Sequence, residues 1–305
     1  MQPVRIYSNY NIPSVITSNK PKQQNKATPV AFKGGLVTDV VQVASKSNKS
    51  ILGTFDKVLY SVLGIKKTAT PEILEKFQKE FQNLFLREDI SINETRNIIK
   101  NYQEIAKIKD DKKFTHEIYT ELKKNFGFGH VDLPLEFREL QKTKAGTTIA
   151  SSNVVMTNVS IHPDIKREKA PQVLFHELRH TKQNFLAACY DVKAYVDGII
   201  MRLMPDLANE ALTKGYNLSK ESIDEGKLRI MASMMNRWGM LVRPRVPKST
   251  MGYAKQCLEA HINYTNPHKN FDNYINNFLE KDAYSADAQF EKIHKMSQKI
   301  KIKEK

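Results

Sequence analysis

Apolar residues recur at three- and four-residue spacing along much of the chain, the period of an amphipathic helix. The first such segment opens on Thr70-Pro71-Glu72, which provides an N-cap, a proline at the first helical position and an acid in the first turn. The second opens on Ser91, with Glu94 three residues later as in a capping box. The third ends before Gly127. These patterns predict an N-terminal helical layer over residues 69–126.

The pattern changes over residues 146–161, where Thr, Val and Ile are frequent and helix formers are scarce. Alternate positions in this segment are predicted to face one side of a strand: Val155, Thr157, Val159 and Ile161. After Pro171 the helical spacing returns and continues to about residue 300. The predicted fold class is therefore α+β and mostly helical, with one or two strands before the helix that follows Pro171.

The start of the chain differs from the rest in composition. Residues 1–50 are rich in Asn, Ser, Lys and Gln and show little periodicity, which is typical of flexible segments. Residues 51–65 have helical spacing. We predict three parts: a flexible basic leader over 1–68, the helical layer over 69–126, and a domain over 127–305 that contains the strands.

The formal net charge of +15 is concentrated at the two ends of the chain. Residues 1–70 contain ten Lys and Arg and two Asp, and residues 292–305 contain six Lys and one Glu. Neither segment interleaves aromatic residues with its lysines, as a stacking surface for nucleic acid would. We interpret both segments as solvated basic tails and expect no specific nucleic-acid partner. The alternative, nucleic-acid binding through these lysines, predicts an affinity that falls steeply with salt.

Segments that would direct the chain to or across a membrane are not evident. There is no run of 18 apolar residues, so no membrane-spanning helix is expected, and no secretion-signal pattern opens the chain. Cys189 and Cys257 are too few for a disulfide framework and are predicted to be buried small hydrophobes. The default expectation is a cytoplasmic location, although specialised export routes leave no such mark.

The segment Phe175–His180, FHELRH, carries the clearest chemical signal. On a helix, His176 and His180 project from one face and can both direct a ring nitrogen at one cation. Zinc accepts imidazole nitrogen and carboxylate oxygen, and a catalytic site keeps one position for water. Glu177 would lie beside the ion and take a proton from that water. With 8 His in 305 residues, chance predicts only about 0.01 such matches.

The HExxH motif resembles that of the zincin superfamily of zinc metallopeptidases, which implies a small sheet beside an active-site helix. The metzincin continuation is excluded because Gln183 and Leu186 occupy its Gly and His positions. The gluzincin pattern takes its third ligand from a Glu-x-x-Ala segment of a later helix, and Glu280 stands three residues before Ala283. The resemblance implies that Glu280 is the third ligand. Other acids remain as alternatives: Asp282, Asp287 and Glu259.

The resemblance implies further features of the site. An edge strand beside the active-site helix would bind the substrate backbone, and the segment Asn153–Asn158 is the candidate. Asp287 is the candidate acceptor for the outer nitrogens of the histidines. Three residues remain open as the group that stabilises the oxyanion: Tyr284, Tyr264 and His261.

The sequence therefore predicts a zinc metallopeptidase with one Zn²⁺ per chain, held by His176, His180 and Glu280, with Glu177 as the general base. Its partner would be a peptide or protein substrate. The alternative is a regulatory or binding protein that retains the zincin scaffold with narrow or no proteolytic activity.

Overall fold

The computed structural model describes residues 66–302 apart from 141, 144–145, 148–149, 216–217, 240–245, 247 and 265–269. Most of the predicted leader, including the helix expected over 51–65, lies outside these residues. The described helices are α1 Pro71–Phe85, α2 Ile92–Ala106, α3 Asp111–Asn125, α4 Ala170–Tyr190, α5 Val192–Lys214, α6 Lys220–Arg237, α7 Met251–Ile262, α8 Phe271–Asn276 and α9 Phe278–Gln298. The described strands are β1 Lys67–Thr68, β2 Leu135–Phe137, β3 Lys142–Thr143, β4 Gly146–Thr147, β5 Ala150–Ser152, β6 Val159–Ile161 and β7 Ile300–Lys301. The mostly helical α+β class is confirmed.

The first two helices begin where the capping residues predict. The Thr70 hydroxyl accepts a hydrogen bond from the backbone N–H of Ile73, and the Ser91 hydroxyl accepts one from the N–H of Glu94 at 3.1 Å. The side chain of Glu94 pairs with Arg87 at 3.1 Å. Each cap satisfies an N–H group that has no partner within the helix.

The sheet beside helix α4 has the strand order β2-β6-β5. β6 pairs in parallel with β2 and antiparallel with β5. β5 and β6 lie within the segment predicted to form strands, whereas β2 was not predicted because three residues are too short to show an alternation. Among the described strands, β5 pairs with β6 alone and is an edge of this sheet.

The predicted strand through Val155 and Thr157 is wrong, because both residues lie in the loop that joins β5 to β6. The backbone N–H groups of Val155 and Met156 are satisfied within this loop by Asn153, through its side-chain oxygen and its carbonyl respectively. Met156 has a φ of 53°, in the left-handed region that reverses the chain. The alternation of residue types was therefore outweighed by local turn hydrogen bonds.

One contiguous core runs from Leu74 to Ile300 and crosses the predicted boundary between residues 126 and 127. Its centre is aromatic. Phe175 of α4 stacks on Phe290 of α9, with ring centroids 4.5 Å apart, and meets Phe85 of α1 edge-on at 5.5 Å. Such pairs add about 0.5–1.5 kcal/mol each to the free energy of burial. The helical layer thus packs directly against the helix that carries the HELRH motif.

The C-terminal basic segment is folded where the structure describes it, which corrects the prediction of a solvated tail over residues 292–305. Residues 292–298 continue helix α9, and β7 pairs in parallel with β1. Ile293 and Ile300 are buried while the lysines of this segment are exposed. The segment is amphipathic, so its charge and its folded state are compatible.

Cys257 is fully buried, as predicted, and Cys189 is partly buried; both are free thiols. Among the helices described, none combines the length and the apolar character that crossing a membrane requires.

Candidate metal centre

Helix α4 brings the two histidines of the motif together. His176 and His180 lie one turn apart on the same face, and their Nε2 atoms are 3.1 Å from each other. His176 is buried and His180 is partly buried. Two imidazole nitrogens therefore converge on one point beneath the sheet.

Helix α9 adds a carboxylate to this pair. Glu280 Oε2 lies 3.8 Å from His176 Nε2 and 3.5 Å from His180 Nε2. One donor atom from each of the three residues lies within 4.8 Å of the other two. The structure thus brings Glu280 to two histidines that precede it by 104 and 100 positions, and these are the three residues that the sequence indicated.

The hydrogen bonds and the ionisation of Glu280 indicate whether these residues fit a cation. Its Oε1 accepts a hydrogen bond of 2.7 Å from the Tyr264 hydroxyl, whereas the buried Oε2 has no hydrogen-bond partner among the described residues. Burial opposes ionisation, but His180 and His176 outweigh it and hold the pKa of Glu280 far below its usual range. Two imidazole nitrogens and one ionised carboxylate form the donor set of a zinc site, so the residues fit zinc.

The outer nitrogens of both rings are occupied, which leaves the Nε2 atoms directed at the centre. His176 Nδ1 lies 3.0 Å from Asp287 Oδ2, and His180 Nδ1 lies 2.8 Å from Gln183 Oε1. Such partners fix the ring orientation and the tautomer of a metal ligand. Asp287 occupies the position that the sequence suggested. Gln183 was not predicted, although its place three residues after His180 on the same helix could have indicated it.

Helix α9 is held against α4 by a second polar cluster, centred on Asp282. Arg179 Nε and Nη2 donate to the Asp282 carboxylate at 2.8 and 2.9 Å, and Gln183 Nε2 donates to it at 2.7 Å. The Tyr253 hydroxyl donates to the same carboxylate at 2.6 Å. These bonds fix Asp282 against helix α4, and they thereby help to hold Glu280, two residues before it, near the histidines.

The remaining acid considered from the sequence lies elsewhere. Glu259 is exposed on helix α7 and pairs with Lys255 at 3.7 Å. Asp282 is bonded to Arg179, and Asp287 contacts the outer nitrogen of His176. Glu280 is therefore the acid with an oxygen near the Nε2 atoms of both histidines.

Glu177 lies beside the three donors in a buried position, with 1% of its surface exposed. Burial raises the pKa of Glu177 above its usual value, although His176 and His180 oppose the rise and a hydrogen bond from Ser152 also lowers it. One of its oxygens, Oε1, has no partner among the described residues. A carboxylate with a free oxygen can take up and release a proton.

A cavity of about 40 Å³ adjoins these residues. Polar side chains from β5, five helices and a loop line it, including Ser152, Glu177, His180, Asn184, Arg202, His261, Tyr264, Tyr274 and Glu280. Its presence shows that Glu177 and Glu280 face a shared space. The prediction of an edge strand over Asn153–Asn158 is wrong, because this segment is the loop after β5; Ser152, at the end of β5, lines the cavity.

The three residues considered for oxyanion stabilisation occupy different places. Tyr264 and His261 line the cavity, and Tyr264 donates to Glu280. Tyr284 lies with its ring centroid 4.8 Å from that of His176, outside the cavity lining.

His261 is buried and stacks on Tyr195, with ring centroids 4.0 Å apart. Burial and the nearby Arg202 hold the pKa of His261 well below its usual value, so the ring is neutral. Arg202 also lines the cavity, and its Nη2 atom lies 2.8 Å from His261 Nε2. The sequence did not single out this arginine.

Comparisons of the chain with protein-family models, with curated proteins and with solved structures found no match. The interpretation of the site therefore depends on its motif and its geometry.

Proposed function

We propose that this protein is a zinc-dependent hydrolase that cleaves peptide bonds. The observation that carries the proposal is the meeting of His176, His180 and Glu280, two of them buried and one partly buried, with the Glu280 Oε2 atom without a hydrogen-bond partner among the described residues. A buried carboxylate oxygen in that state is costly unless a cation or a donor satisfies it. Glu177 lies beside these three residues and is not one of the proposed ligands, so it would act as the general base.

His176, His180 and Glu280 would hold the ion, which supplies Lewis acidity for polarising a carbonyl and lowers the pKa of water from about 15.7 to about 7. Glu177 takes a proton from the attacking water and delivers it to the nitrogen of the departing amine. The role requires one group to gain and then lose the proton within a single cycle, and Glu177 is the buried carboxylate beside the three residues. Asp287 and Gln183 keep the imidazoles oriented throughout.

The substrate would approach along β5. Because β5 is an edge among the described strands and lies next to helix α4, its outer backbone groups would pair with an extended peptide. Ser152, at the end of β5, lines the cavity that contains Glu177. This arrangement would set the scissile bond beside the general base.

A second candidate is a metal-binding protein without general proteolytic activity. The small size of the cavity, about 40 Å³, favours it, because this volume holds little more than a water molecule. A peptidase with this cavity would require movement of the surrounding helices on substrate binding.

Glu177→Gln separates the two candidates. We expect the variant to retain zinc, measured by mass spectrometry of the purified protein, and to lose peptide hydrolysis by about 10²–10⁴-fold. Glu259→Gln, an exposed residue on α7, is the matched control and should retain both properties.

Zinc binding itself is tested in His180→Ala and Glu280→Ala, which should both lose the ion. Full activity in Glu177→Gln would contradict the proposed mechanism. Stoichiometric zinc with no cleavage of a peptide library by the wild type would favour the second candidate, and no zinc in the wild type would exclude both.

A further inference from the structure

The face of helix α4 opposite the histidines borders a second and larger cavity, of about 620 Å³. Lys182 follows His180 by two residues, about 200° around the helix, and lines this cavity instead of the first. Phe185, Leu186 and Cys189 continue the same face. A volume between about 300 and 1,000 Å³ is typical of sites that bind small molecules.

Aromatic rings form much of the wall of this cavity. Phe128 and Trp238 meet edge-on with ring centroids 4.8 Å apart, and Phe185 lies 5.3 Å from Trp238. Phe126 also contributes to the lining. This wall provides apolar surface for a ligand that carries a hydrocarbon or aromatic group.

Lys182 places a positive charge against this wall. Its Nζ atom lies 5.3 Å from the ring centroid of Phe128 and 5.9 Å from that of Phe185, and it donates one hydrogen bond of 3.3 Å to the carbonyl of Phe126. An ammonium group has three donors. The described acids form no direct ion pair with Lys182 within 4.0 Å, and Asp89 acts on its charge only from farther away.

The acids at the rim of the cavity are already engaged. Arg87 lies 3.2 Å from Asp89 and 3.1 Å from Glu94, and Glu88 accepts a hydrogen bond from the Ser249 hydroxyl. None of these acids pairs directly with Lys182, and over the described lining the three acids are matched in number by Arg87, Lys124 and Lys182. Among the described residues, the other titratable groups of the lining are the exposed side chains of Lys124 and His130 and the Cys189 thiol.

We propose that this cavity is a binding site for a small amphiphilic carboxylate. The carboxylate pairs with Lys182, and the apolar body of the ligand lies against Phe128, Phe185 and Trp238. Charge complementarity selects the anionic group, because a partly buried ammonium gains a charge-assisted partner that the protein does not provide. The aromatic wall excludes strongly hydrated anions such as inorganic phosphate, which would lose their hydration without an apolar gain. This site is independent of the proposed zinc chemistry.

Trp238 provides a direct reporter, since it is the single tryptophan of the chain and lines the cavity. We expect its fluorescence to change saturably on titration with decanoate or 3-phenylpropanoate. The uncharged analogues, decanol and 3-phenylpropanamide, should bind more weakly by about tenfold or more, because they lose the charge-assisted hydrogen bond. Equal binding of the uncharged analogues, or no saturable change with either carboxylate, would overturn the proposal.

Lys182→Met retains most of the apolar stem and removes the charge. It should weaken carboxylate binding by about tenfold or more while leaving the affinity for decanol unchanged. Lys295→Met, on the exposed face of α9, is the matched control and should bind as the wild type does. Zinc content and circular dichroism of both variants show whether the fold is retained. Unchanged carboxylate affinity in a folded Lys182→Met would assign the cavity to an uncharged ligand and contradict the proposal.

Discussion

The aromatic core and the candidate metal centre meet on neighbouring residues of one helix, yet they are stabilised in opposite ways. Phe175 is surrounded by rings of α1 and α9 and by Phe126, whereas His176, the next residue, is surrounded by acids and a second histidine. Apolar burial is non-directional and scales with the area removed from water. A buried charge needs a partner at a defined distance. The core should therefore determine stability, and the polar cluster should determine metal binding.

The largest effect is expected in the core. Phe85→Ala removes a fully buried ring that contacts Phe81, Phe126, Phe175 and Phe290. We expect the free energy of unfolding to fall by about 3–5 kcal/mol, as measured by urea denaturation, because a cavity replaces the ring. Zinc bound per folded chain should not change.

Phe85→Leu is the control for that substitution and should lose less stability, since most of the volume is retained. A loss of zinc from folded Phe85→Ala would show that the core also sets the geometry of the site. It would contradict the expectation that the core determines stability and the polar cluster determines metal binding.

An intermediate effect is expected where the polar cluster orients a ligand. Asp287→Ala leaves His176 Nδ1 without the acceptor that lies 3.0 Å away. We expect the affinity for zinc to fall about 10–100-fold, measured by competition with a chelator, because the ring is no longer fixed.

Asp272→Ala, an exposed acid on helix α8, should bind zinc as the wild type does. Wild-type affinity in Asp287→Ala would indicate that packing alone orients His176, and that the polar partners are dispensable.

The smallest effect concerns a polar group placed inside the aromatic core. His294 stacks on Phe290, with ring centroids 5.7 Å apart, and its Nδ1 has no partner among the described residues. Burial lowers the pKa of His294 below the usual value of about 6.5. The unfolded chain therefore binds this proton more readily, so the stability contributed by the neutral ring is complete above about pH 6.5 and is lost as the pH falls.

His294→Phe removes this titration. We expect the unfolding free energy of the variant, relative to the wild type, to increase between about pH 7.5 and pH 5.5. Denaturation at both pH values measures the difference. A constant difference would mean that His294 stays neutral or equally protonated in both states.

Local signals predicted much of the secondary structure. Thr70, Ser91 and the apolar spacing after them defined helices because capping and amphipathicity depend on residues within one or two turns. The strand predicted through Val155 failed for the same reason, since its side-chain pattern contained no information about the turn around Met156. β2 was missed because its pairing with β6 is the product of a contact between distant segments.

The candidate site shows the same division. The FHELRH segment by itself determined that two histidines share a helix face and that an acid stands beside them, because a helical repeat fixes the relation between residues four positions apart. Only the tertiary structure decided among the four acids that could complete the set. Packing of α9 against α4 placed the free oxygen of Glu280 toward the rings, gave Asp287 to His176 and gave Asp282 to Arg179. Helix periodicity is a property of consecutive residues, whereas the meeting of positions 176 and 280 depends on which faces of two helices the whole core allows to touch.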